Sequence, residues 1–186
     1  MHPRYERRTC MIDAGAIIRV FDSTFALAYR TVLQGGAPEP EYVPPSAAEP
    51  GRILFREDFA ASALHEVAHW CIAGRARRCR HDYGYWYESA RDEAAQARFE
   101  AAEARPQAME WIFSNAAGLA FRVSCDNLGQ DSASRARLRA AVGKEARAWL
   151  VRGLPLRAGQ FAAALAAASG QSNDYLRLAD YEDEPR

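Results

Sequence analysis

Asp58-Phe59-Ala60-Ala61-Ser62-Ala63-Leu64-His65-Glu66-Val67-Ala68-His69-Trp70-Cys71-Ile72-Ala73-Gly74 reads as a helix of about four turns. Asp58 is a candidate N-cap, good helix formers fill the interior, and Gly74 closes it. On such a helix His65 and His69 stand four positions apart and point the same way, so they can share one metal ion. Neutral imidazole is the commonest metal-binding side chain, and this pair lies in an apolar stretch. The chain holds 4 histidines; two of them at ligand spacing on one helix favour a metal site over coincidental packing.

Outward from this helix the pattern alternates between short strands and longer helices. Arg52-Ile53-Leu54-Phe55-Arg56 is apolar, bounded by breakers, and predicts a strand feeding the metal helix. Before it, residues 37–51 form a proline-rich loop with room for a short edge strand at Glu41 to Val43. Ile12 through Gln34 carries Ile17, Ile18, Phe21, Phe25, Leu27, Ala28 and Val32 at helical spacing and predicts one amphipathic helix stopped by Gly35-Gly36. After Gly74, Asp82-Tyr83-Gly84-Tyr85-Trp86-Tyr87 has strand character. Ser89 to Ala104 is polar and alanine-rich, helical or loop-like, and Pro106 opens a helix running to about Ala120. Phe121 to Cys125 reads as a brief strand or an extended exit, Ser134–Arg152 and Arg157–Ala168 as two helices, and 170–186 as a polar tail with disorder expected at its end. The expected fold class is α+β: a helix-rich single domain over residues 1–186, with a small sheet packed on the metal helix.

Length fits one domain with a substantial core, and the formal charge of +0 leaves no global field pointing to nucleic acid or membrane. The N-terminus lacks the features of a secretory signal and no apolar run approaches spanning length, which predicts a cytoplasmic protein. Cys10, Cys71, Cys79 and Cys125 are scattered without a C-x-x-C pair, so neither a thiolate zinc site nor a disulfide framework is indicated.

A catalytic divalent ion needs a third donor, and a carboxylate is the usual one. If 99–111 is helical, Glu100, Glu103, Gln107 and Glu110 share one side. Glu103, in the middle of this stripe, is the preferred ligand, with Gln107 one turn on to orient it; Glu100 and Glu110 are the alternatives and Asp126 an outside candidate. With zinc, Glu66 would serve as general base for hydrolysis; with ferrous iron, two His and one carboxylate leave positions for dioxygen and substrate. Spacing alone does not choose. The basic run Arg75, Arg77, Arg78 and Arg80 either docks an acidic partner or caps a helix end.

Ala63 through Arg78, followed by Asp82-Tyr83-Gly84-Tyr85-Trp86-Tyr87, Arg105-Pro106-Gln107-Ala108 and Val123-Ser124-Cys125-Asp126-Asn127-Leu128, resembles in order and spacing the bacterial elongation factor P hydroxylases over roughly residues 50 to 165. The resemblance implies a non-haem Fe(II) hydroxylase that uses dioxygen and acts on the β-lysyl-lysine side chain of elongation factor P. It also implies a fold similar to the small metal-dependent endoribonucleases, a zincin-like arrangement around an HExxH helix, and ligands His65, His69 and a Glu from the 100–110 stretch, taken as Glu103. An H-x-D/E pattern is missing from the chain, so 2-oxoglutarate is not predicted. In a hydroxylase Glu66 would orient a water or the substrate amine rather than act as base. The lysine-like arm calls for acids and aromatic faces, which Glu66, Glu100, Glu110, Asp82, Tyr85 and Trp86 could supply. No membrane or direct nucleic-acid partner is expected.

Overall fold

A computed structural model describes residues 12–82, 93–124 and 132–181, the side chains of 93–97 excepted. The chain runs α1 (Ala14–Tyr29), β1 (Thr31–Ala37), β2 (Glu41–Val43), β3 (Gly51–Arg56), α2 (Ala60–Ile72), α3 (Arg75–Arg78), α4 (Glu93–Ala117), α5 (Ser132–Arg152) and α6 (Leu156–Ser169), then two 3₁₀ turns at Asn173–Leu176 and Leu178–Tyr181. It is an α+β fold, rich in helix, with a three-stranded sheet of order β1-β3-β2. β3 pairs parallel with β1 and antiparallel with β2. Among the described residues no helix is long and apolar enough to cross a membrane.

α1 begins where the Asp13 carboxylate accepts a hydrogen bond from the Ala16 amide at 2.7 Å. It ends well short of Gln34, at Arg30 in the left-handed region (φ 48). The helical spacing of Phe21, Phe25 and Val32 suggested continuity, but Thr31-Val32-Leu33 is β-branched at two of three positions and leaves the helix as β1. Thr31 and Leu33 then bury on the sheet's alternation, and Asp22 accepts from the Leu33 amide at 2.9 Å, holding the strand against the helix it came from. At Gly35 a Cβ would sit 2.8 Å from the Phe55 ring and 2.6 Å from Asp58, so only glycine allows β1 to pass this close to the turn between β3 and α2.

β3 leads directly into α2, whose N-cap is Phe59 and not Asp58; no side chain caps it. At its other end α2 stops at Ile72, and Gly74 heads the short α3 instead of closing the helix. α4 is the largest correction. It continues unbroken through Pro106, which is buried. An interior proline costs about 3 kcal/mol, and α4 meets that cost because it packs on α2, α5 and α6 and buries Met109, Ile112, Phe113 and Ala116 completely. Phe121–Ser124 is an extended exit, not a strand. Asp82 forms an isolated bridge to Tyr42, while the rest of the expected 82–87 strand, with Tyr85 and Trp86, lies outside the described residues, as do Cys10, Cys125 and Asp126.

An aromatic cluster joins the layers: Phe21 and Phe25 of α1 meet Trp70 of α2 at 5.3 and 5.1 Å, and Phe161 of α6 meets Phe113 of α4 at 5.0 Å. In the segment 170–186, expected as a polar tail, residues up to Tyr181 pack. Tyr181 is fully buried, its ring 4.7 Å from Trp111, its hydroxyl donating to the Tyr175 carbonyl and its own carbonyl accepting from Arg147. Two aromatic rings in an otherwise polar stretch suffice to anchor it.

Candidate metal centre

α2 and α4 bring the predicted residues together. His65 and His69, one turn apart, face each other with Nε2 atoms 3.0 Å apart and ring planes at 73°. Glu103 of α4 reaches between them, Oε2 lying 3.3 Å from His65 Nε2 and Oε1 3.6 Å from His69 Nε2. One donor atom from each of these three lies within 4.8 Å of the others. Separations of 3.0, 3.3 and 3.6 Å, the last two to different oxygens of Glu103, are short enough for one ion to be shared by all three side chains. Glu103 Oε1 is also buried with no hydrogen-bond partner, a costly orphan that a cation would satisfy.

The stripe on α4 divides its work. Glu100, Glu103, Gln107 and Glu110 are all buried, on a helix that runs unbroken through Pro106. Glu110, weighed from sequence as an alternative third ligand, accepts a hydrogen bond from His65 Nδ1 at 2.8 Å. Once His65 is neutral, that bond keeps the ring proton on Nδ1 and leaves the Nε2 lone pair turned toward His69 and Glu103. Glu100 points away and accepts from the Ser134 hydroxyl at 2.5 Å. Gln107 does not orient Glu103. Its side-chain amide is spent on the backbone of Ser124, donating to the carbonyl at 2.9 Å and accepting from the amide at 3.0 Å, which pins the chain leaving α4.

Electrostatics follow from this crowding. Burial pulls the His65 pKa down, but hydrogen bonds to Glu103 and Glu110 and the charge of Glu66 outweigh it and raise it well above the ordinary histidine value. Burial likewise lifts Glu103, yet bonding and charge from His65 and His69 hold its carboxyl well below the usual range. Glu66, half-buried beside them, is raised chiefly by burial. The raised pKa favours a proton on His65 that must leave before Nε2 can coordinate a metal. Metal affinity should rise with pH until the raised His65 pKa is passed. Titration calorimetry at pH 7 in buffers of different ionisation enthalpy should show about one proton released per ion bound; a slope of zero would remove this assignment.

A cavity of about 390 Å³ opens onto these groups. Buried Glu103 and Glu110 lie deep; Tyr42, Trp70 and Phe99 line its walls; exposed Phe59, Arg56 and Arg77 lie at its mouth. The mouth is tied together by Arg77, which makes two hydrogen bonds to Asp82, by the Tyr42–Asp82 backbone bridge, and by His81 on Glu41 at 2.6 Å. Of the basic run, Arg78 does what a helix cap does, donating to the Ala73 carbonyl at 2.7 Å.

Sequence reasoning missed Arg157, whose single Nη2 donates to the carbonyls of Trp70, Cys71 and Ala73 at 3.1, 2.9 and 2.7 Å while its guanidinium stacks 4.9 Å above the Trp70 ring. It satisfies the orphan end of the helix that carries both histidines. Nothing in a sequence pairs positions 87 residues apart. Arg157→Met should destabilise the fold by about 1–3 kcal/mol in urea unfolding; an unchanged midpoint would show the cap to be idle. Cys71, buried here, is an inert thiol with a pKa pushed up to about 12 by burial.

Comparison with known proteins adds a family to this geometry. The sequence model described as elongation factor P hydroxylase matches residues 20–180. The elongation factor P lysine hydroxylase of Haemophilus influenzae is 39% identical over 168 residues, which span 89% of this chain and 94% of the relative.

Proposed function

The chain belongs to the elongation factor P hydroxylase family, and on that premise we propose that it hydroxylates a lysine-derived side chain of elongation factor P, the β-lysyl-lysine arm, with Fe(II) and dioxygen. The observation that carries the reading is the His65, His69, Glu103 group at the base of a cavity that can admit one extended side chain. Bound iron would supply dioxygen activation, the chemistry no amino-acid side chain offers. The rest falls to the protein. His65, His69 and Glu103 would hold the ion; Glu110 keeps the His65 ring turned toward it. Tyr42, Trp70 and Phe99 offer apolar walls to the methylene stem and limit water at the reacting carbon.

The same motif is what a zinc hydrolase with Glu66 as base would carry, and family membership favours the hydroxylase over it. The passage from β3 into α2 and the crossing of α4 over it suit a zincin-like arrangement in one domain. A translation factor as substrate puts the work in the cytoplasm. Incubation of iron-loaded protein with β-lysylated elongation factor P under aerobic, reducing conditions should add one oxygen atom by mass spectrometry. No mass gain, together with casein or RNA cleavage lost on Glu66→Gln, would transfer the assignment to hydrolysis.

A further inference from the structure

We propose that Glu66 is the specificity residue of this site, a carboxylate that takes an ammonium group of the lysine-derived arm; the proposal rests on the hydroxylase reading above. Five carboxylates line the described part of the cavity, and four are already engaged within the fold: Glu41 with His81, Asp82 with Arg77, Glu110 with His65 Nδ1, and Glu103 with the histidine pair. Glu66 is the exception: among the described residues no hydrogen bond reaches it, and it lies outside the three-residue donor group. It nonetheless lines the cavity and is half-buried beside the histidine pair, in a place where a carboxylate without a hydrogen-bond donor is costly.

Helix geometry sets its position. Residue 66 follows His65 by about 100° around the helix, so its carboxylate stands beside the histidine pair on the cavity side without sharing their direction. A cation drawn to Glu66 is thus held next to the metal group and not on it. Two arginines of the cavity have partners elsewhere: Arg77 is bound to Asp82 and Arg78 to the end of α2. An arm with an ammonium tip satisfies Glu66 on entering, whereas a neutral arm of equal length leaves it buried and unpaired; the difference between those outcomes is selectivity.

The test is binding of β-lysylated elongation factor P to the metal-loaded protein under anaerobic conditions, by calorimetry, for the parent and for Glu66→Gln and Glu66→Asp, with metal content measured in each. Glu66→Gln should weaken binding about 10–100-fold, the range of a lost charge-assisted hydrogen bond, with metal affinity within threefold of the parent, and Glu66→Asp should recover part of it. Acetylating the amines of the arm should cost the parent a similar factor and cost Glu66→Gln nothing further, the non-additivity of two direct partners. Equal Kd values for parent and Glu66→Gln, or additive losses, would overturn the anchor. A Glu66-dependent Kd with no oxygen gained by the parent in air would instead sink the hydroxylase reading and leave the anchor standing.

Discussion

His69→Ala is expected to lose metal binding by at least about a hundredfold, beyond the 10–100-fold typical of losing an outer-shell partner, and to lose hydroxylation with it. The variant keeps Glu103 and His65 in contact at 3.3 Å but leaves two donors where three converged, and two protein donors do not hold a catalytic divalent ion. The fold should survive. His69 is partly exposed, and the helix around it is held by Leu64, Val67 and Trp70, which are buried. Chelator competition, with thermal unfolding as the control, checks this: the metal-induced rise in Tm should vanish while the metal-free Tm moves little. Wild-type affinity in this variant would mean that the ion, if any, binds elsewhere.

Glu110→Leu carries the second large effect. The substitution keeps volume inside the helix packing but removes the acceptor from His65 Nδ1, freeing the ring to rotate and to change tautomer. Metal affinity should fall about 10–100-fold, and Glu110→Gln, which still offers an acceptor oxygen, should recover most of it. The comparison also separates positioning from coordination. A ligand lost would drop the coordination number seen by X-ray absorption by one and would not be rescued by Gln; a positioning partner lost would leave the number unchanged. A coordination number that falls in Glu110→Leu would move Glu110 from the back of His65 to the ion itself.

How much of this was legible in the sequence depends on the reach of each interaction. Spacing of four along one helix was enough to set the two imidazoles side by side, edge against face, and spacing along 100–110 was enough to put the carboxylates on one stripe. Local rules misread the points where distant packing decides. Pro106 looked like a boundary because its local cost is real, but three partner helices outweigh it. The periodicity through Val32 hid the exit at Arg30, which depends on Asp22 reaching back to the Leu33 amide. Gln107 occupied the right face for orienting Glu103, yet the backbone of Ser124, 17 residues further along the chain, claimed both ends of its amide. The stripe singled out Glu103 by its middle position, but what Glu100 and Glu110 do instead depends on Ser134 of α5 and His65 of α2, which local spacing does not show.

Both imidazoles of the donor group ride on α2 and its carboxylate, Glu103, on α4, so the gap between donors is the gap between two rods. The two helices pack directly on each other, so the pair behaves as a caliper. A substitution that changes how closely α2 and α4 approach retunes which ion is gripped, and how tightly, while every coordinating side chain stays as it is.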